Sequence, residues 1–145
     1  MPDFGDGGKV PVPTGTTVVG AMHGHILVLP GYSGDVYGFD ARDGRQLWIF
    51  KTRPEPGGFG FDTWSSVESG ANCWGGMALD ESRGIAYVSV GSPKPNFIGL
   101  NHQGDNLFSN CVISFTSSRC LKPKALGPKM LQLGRLLTVF SSGFN

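Results

Sequence analysis

The chain has 145 residues, of which 23 are glycine and 10 proline. These are the two worst residues in a helix interior, so the composition disfavours a helix bundle and favours short strands joined by tight turns. Ten Phe, three Tyr and three Trp exclude a compositionally disordered chain, and a net charge of +1 excludes a globally basic nucleic-acid binder and an acidic tail protein.

In chain order, Thr16 to Val19 is a β-branched run ended by Gly20, and His25 to Leu29 is an apolar run stopped by Pro30-Gly31. Asp35 to Phe39 alternates as a half-buried strand after the turn Ser33-Gly34. Asp43-Gly44 is a hairpin turn pair, with Gln46 to Phe50 as the strand behind it. Residues 51–64 form a long Pro/Gly/Phe loop. Trp74 to Leu79 and Ile85 to Val90 read as a strand pair around the turn at 80–84. A second long loop, 92–106, precedes a last strand, Cys111 to Phe115. Seven short strands at this spacing predict an all-β sandwich, barrel or propeller. An internal echo favours the propeller: Val36-Tyr37-Gly38-Phe39 and Val112-Ile113-Ser114-Phe115 lie 76 residues apart, as when one four-stranded unit recurs.

The charge is unevenly distributed. Residues 1–116 carry seven basic and eleven acidic groups, whereas residues 117–145 carry five basic groups and no acid. Two readings are open. Either the tail is a basic arm, with Leu126, Met130, Leu133 and Leu137 as a helical stripe, or it does not belong to the domain before it. The three cysteines, Cys73, Cys111 and Cys120, have no metal-ligand spacing. No run reaches the length of a membrane span, and the first residues lack the pattern of a signal peptide. The chain is therefore expected to be either cytosolic or an internal piece of a longer precursor.

The most specific pattern is Asp40-Ala41-Arg42-Asp43-Gly44-Arg45-Gln46-Leu47-Trp48, a hairpin whose Trp follows the turn Gly by four residues. Such a Trp can pack over a neighbouring unit and donate its indole N–H to that unit's turn. This stretch resembles the tryptophan-docked repeat of the pyrroloquinoline quinone (PQQ) dehydrogenases, with Asp43 in place of the usual Thr. The similarity continues through Phe50 to Trp64, Asn72-Cys73-Trp74, Asp80 to Val88, Gly91 and Gly104 to Phe108, covering about residues 10–115.

The resemblance implies an all-β fold: about two partial blades of a PQQ-type β-propeller over residues 1–116, with an unrelated basic tail over 117–145. After Phe115 the family continues with an Asp, a Thr-Gly and a docking Trp, which this sequence lacks. A reading-frame slip or a misjoined gene end accounts for that break and for the charge reversal together, and the tail is then expected not to pack as a propeller strand.

By the same resemblance Trp74 falls where the family places the floor of its PQQ site, a role that suits a planar tricyclic quinone; the plain alternative is a core Trp between blades. Ser92 falls where the alcohol-oxidising branch has an Asn bound to Ca²⁺, though a hydroxyl is the poorer oxygen ligand. His23 and His25 sit near that branch's Glu ligand. A His pair could take a softer metal, but it is more commonly a surface or core feature. Asp105 belongs to a structural loop in the family pattern. The catalytic Asp lies in a later segment without a counterpart here, so no catalytic residue is assigned.

The implied whole enzyme oxidises a sugar or alcohol hydroxyl using PQQ and Ca²⁺ or Mg²⁺, passes electrons to a quinone or cytochrome acceptor, and is periplasmic. This chain is expected to be a fragment of it that is inactive alone and binds no cofactor. The rival reading is a non-catalytic propeller of the same repeat type serving as a protein-binding scaffold.

Overall fold

The computed structural model describes residues 4–16, 18–65, 70–94, 100, 103–116 and 140–141. These form two antiparallel four-stranded sheets. The first contains β1 (Ala21–His23), β2 (Ile26–Pro30), β3 (Val36–Asp40) and β4 (Gln46–Phe50); the second contains β5 (Met77–Asp80), β6 (Ile85–Val90), β7 (Cys111–Thr116) and β8 (Phe140–Ser141). Each sheet runs in chain order; short turns join the strands of the first sheet and the β5–β6 pair, whereas β7 follows β6 only after the long 91–110 connection. Helical geometry among the described residues is confined to 3₁₀ conformation, in the single turn Phe61–Thr63 and at Leu100. The all-β expectation holds, and β4 and β6 fall where the sequence pattern puts them.

Three sequence expectations are corrected. In the expected strand from Thr16 to Val19, the described residues Thr16, Val18 and Val19 lie in no strand; β1 lies further on. The register pairs Ala21 with Val28, and continuing it backwards would set Val19 against Pro30, which has no N–H to give to a ladder. Val19 is accordingly left exposed. The strand expected from Trp74 begins only at Met77, because Gly76 takes a left-handed turn (φ +89°) whose carbonyl accepts from the Ser89 hydroxyl at 2.9 Å. The tail was expected to contribute no strand, yet Phe140–Ser141 pairs with β7 as the fourth strand of its sheet. The rest of the tail, with its Leu/Met stripe and Cys120, lies outside the described residues.

The core is the seam between the sheets. Val28, Val36 and Phe50 from the first meet Ala86, Val88, Ile113 and Phe115 from the second. Phe50 packs edge-on against both Phe108 and Phe115, with centroids 5.0 and 5.2 Å away. Trp48 joins this seam from β4 by lying across Gly38 of β3. A Cβ at position 38 would overlap the indole, so only glycine allows this approach. The ring does reach the neighbouring sheet, but its buried Nε1 has no hydrogen-bond acceptor among the described residues. Trp64 is the tryptophan that makes such a bond, donating to the Leu107 carbonyl at 3.0 Å.

The β3–β4 and β5–β6 hairpin turns are built alike. Asp40 accepts the backbone N–H of Arg42 at 3.0 Å and its guanidinium at 2.6 and 2.9 Å. Asp80 accepts the Ser82 hydroxyl at 2.7 Å, the Arg83 backbone N–H at 3.0 Å and the Arg83 guanidinium at 2.7 Å. An Asp side chain that bonds the backbone two or three residues on is a turn-former in its own right.

Candidate functional site

The ends of β2 and β6 and the starts of β3, β5 and β7 open on the same end of the molecule. There the chain entering β5 runs antiparallel to the chain leaving β6. Ala71 bridges to Pro93, and the Gly91 N–H donates to the Asn72 carbonyl at 2.8 Å. A third segment joins on the other side, where the Asn110 N–H donates to the Gly91 carbonyl at 3.0 Å. Gly91 is thus the centre of a small backbone frame.

Trp74 stands on this frame. Its indole edge rests over Gly91, where a Cβ would lie 2.9 Å from Nε1, and the residue is 63% exposed. Trp48 and Trp64 are drawn into the seam, so the site carries the one open indole among the described residues. A large, flat, apolar surface held by hydrogen-bonded backbone is chemically a stacking platform.

Two residues before it, Asn72 is 8% exposed, and its buried Oδ1 has no hydrogen-bond donor among the described residues. A buried carbonyl oxygen without a donor is costly unless something supplies one. The sequence signal for Asn72 is its place in Asn72-Cys73-Trp74, two residues before the open tryptophan; the motif by itself assigns it no role.

Ser92 is exposed, and its hydroxyl donates to Asn110 Oδ1 at 3.1 Å. Asn110 has a left-handed backbone (φ +48°), which Asn tolerates better than most residues. These two groups offer a hydroxyl and an amide, with no carboxylate. No three His, Cys, Asp or Glu side chains converge among the described residues. Ca²⁺ takes six to eight oxygen ligands, most of them carboxylates or carbonyls, so the described residues do not by themselves fit a Ca²⁺ or Mg²⁺ site. His23 and His25 are not on one strand face either. His23 closes β1, His25 sits beyond the Gly24 turn, and His25 Nε2 lies 4.0 Å from Asp40 Oδ2.

Asp105 is exposed in the loop before β7, and that loop docks on the 3₁₀ turn. The Asn106 N–H donates to the Thr63 carbonyl at 3.0 Å, and the Leu107 N–H to Thr63 Oγ1 at 2.9 Å. The two long loops read from the sequence are therefore packed together. Behind the platform, Cys73 and Cys111 are buried free thiols. Burial pushes Cys73 up to about 12, with Cys111 and Asp35 adding to it, and pushes Cys111 up to about 11. Neither is a nucleophile at neutral pH.

Comparison with known proteins adds an independent line. Residues 6–118 match the family described as PQQ, the glucose/ethanol/alcohol dehydrogenase β-propeller domain. The chain is 27% identical over 128 aligned residues to lupanine 17-hydroxylase [cytochrome c] of a Pseudomonas species, a match covering 77% of this chain and 17% of that protein. Its fold superposes on the quinohemoprotein alcohol dehydrogenase of Comamonas testosteroni with a TM-score of 0.59 at 17% identity, covering 71% of this chain and 19% of that one. It superposes on quinohemoprotein alcohol dehydrogenase ADHIIG of Pseudomonas putida HK5 with a TM-score of 0.54 at 22% identity, covering 71% and 18% respectively. The chain thus spans less than a fifth of the length of each of these proteins.

Proposed function

Because the chain belongs to the PQQ β-propeller family of glucose, ethanol and alcohol dehydrogenases, we propose that it supplies one wall of a PQQ site in a larger dehydrogenase. On this reading the whole protein oxidises a sugar or alcohol hydroxyl and hands electrons to a quinone or cytochrome acceptor in the periplasm. One observation carries the assignment: the open Trp74 ring on its Gly91 frame, beside the buried Asn72 Oδ1 that lacks a donor.

The residues present fit the organic cofactor and leave the metal to other groups. Bound PQQ would supply the two-electron redox chemistry. Trp74 would stack on the ring system and exclude water from one face. Asn72 would accept a hydrogen bond from the ring's edge through Oδ1. The Ser92 hydroxyl and Asn110 amide would line the rim, and a divalent cation would take its carboxylates from elsewhere in the complete propeller. Residues 1–116 form the propeller part on this reading, and 117–145 a basic tail of other origin that touches it at Phe140–Ser141. The chain alone is expected to reduce no dye with glucose or simple alcohols, with or without Ca²⁺. The scaffold alternative finds less support, since the long loops are docked through Trp64 and Leu107 and are not short regular connections.

The test is a chimera in which residues 6–116 replace the matching stretch of a complete PQQ dehydrogenase. It should bind PQQ and oxidise alcohol. Asn72→Val should weaken PQQ binding by about two- to tenfold, the worth of one net hydrogen bond. A chimera that folds and binds PQQ equally well with Val at position 72 would remove Asn72 from the site.

A further inference from the structure

Lys94 follows Pro93 at the far end of the segment that frames Trp74, and its side chain leaves the second sheet altogether. The ammonium donates to the Tyr32 carbonyl at 2.5 Å and lies 3.4 Å from the centroid of the Tyr32 ring. Tyr32 belongs to the turn between β2 and β3 of the first sheet, and that turn is itself held, since its N–H donates to the Gly15 carbonyl at 2.6 Å. Among the described residues Lys94 has no acidic partner, although Lys51, Arg42, Arg45 and Arg83 each have one. Partial burial lowers its pKa, so the contact is made against a desolvation cost.

We propose that Tyr32 and Lys94 form a clasp between the two sheets that positions the 91–94 segment, and through Gly91 the Trp74 platform. The lever is short. Pro93 is bridged to Ala71, Gly91 is bonded to Asn72, and both anchors lie within three residues of Lys94 on one side and of Trp74 on the other. An ammonium over an aromatic face is directional, and it fixes the height of the segment as well as its distance. Lys94 and Tyr32 are positioning residues here. The proposal rests on Trp74 being the platform, but its test needs no cofactor, so a failed clasp and a failed PQQ site are told apart.

The test is amide hydrogen exchange on the full chain, read at Gly91 and Asn110, with Ile113 in the centre of β7 as the reference for global opening. Acrylamide quenching reports the exposed tryptophan, assigned with a Trp74→Phe variant. Lys94→Met and Tyr32→Leu should each speed Gly91 exchange relative to Ile113 by about two- to fivefold, as expected for a lost cation–π contact, and the double variant should add little. Both should alter quenching of Trp74. Tyr32→Phe should match the wild type, because the ring face and the backbone carbonyl are retained, and Lys94→Arg should recover most of the protection. Two results overturn the clasp: Gly91 exchange unchanged relative to Ile113 in Lys94→Met, or Tyr32→Phe as disruptive as Tyr32→Leu. A variant that opens globally moves Ile113 too, and the Phe and Arg variants then decide the question.

Discussion

The indole of Trp48 and the ring of Phe115 lie stacked across the seam, with centroids 5.5 Å apart and planes 20° from parallel. The contact joins the outermost strand of the first sheet to the third strand of the second. It depends on Gly38, which lets the indole lie flat on β3. Aromatic pairs contribute about 0.5–1.5 kcal/mol beyond their area burial. Trp48→Ala should therefore lower amide protection in both β3 and β7. Gly38→Ala should do nearly the same by displacing the ring, although it removes no contact. Protection in β7 that survives Gly38→Ala would show that the seam does not depend on this stack.

The chain should be only marginally stable by itself. A propeller blade buries both faces against neighbours, and about three repeats are ordinarily needed for a stable array. Here Leu47 and Ile49 of β4 and Met22 of β1 remain exposed, and both strands end a sheet. Unpaired edges and apolar patches invite association. The purified chain is expected to bind a hydrophobic dye and to lose its structure over a broad temperature range. A sharp cooperative melt of a monomer would contradict this.

Much of the fold was legible because alternation and turn chemistry agreed locally. Gln46–Phe50 and Ile85–Val90 are bounded by Gly-containing turns whose Asp side chains set the hairpins, so strand and turn pointed to the same answer. Thr16 to Val19 misled because β-propensity is local, whereas a strand needs a partner that can hydrogen-bond, and Pro30 could not serve. Trp74 stands out in the sequence through its motif. Asn72, Asn110 and the Tyr32–Lys94 pair do not, since each owes its place to pairing across 18 or more residues that no spacing rule encodes. The His pair, already more in keeping with a surface feature than with a metal site, is split by the left-handed Gly24 turn between the two residues.

The Asp80 turn should fail in acid. Hydrogen bonds from Ser82 and then Arg83 hold its carboxyl at about 2, below the ordinary 3.8. A carboxylate whose folded pKa is depressed contributes stability above its unfolded pKa, and the contribution is lost as pH falls through the folded value. The turn should stay ordered at pH 4 and loosen toward pH 2. NMR titration of the Arg83 amide should give a midpoint near 2; a midpoint near 3.8 would mean that the bonds do not persist in solution. Asp80→Asn should remove the dependence.

The thiols offer a chemical check on the region behind the platform. With Cys73 held at about 12 and Cys111 at about 11 by burial, almost no thiolate is present at pH 8. Iodoacetamide should leave both unmodified in the folded chain and label both in denaturant, as mapped by mass spectrometry. Rapid labelling of Cys73 under native conditions would mean that the segment entering β5 is open, and the frame under Trp74 with it.

The central claim is that Trp74 is a cofactor platform, and PQQ affinity of the chimera carrying residues 6–116 tests it most directly. Trp74→Ala should weaken PQQ binding by several-fold or more, since stacking contributes about 0.5–1.5 kcal/mol above area burial. Trp74→Phe, which keeps a smaller aromatic face, should fall between. Unchanged PQQ affinity in Trp74→Ala, in a chimera that folds normally, would contradict the claim and leave Trp74 as an exposed ring without a cofactor role.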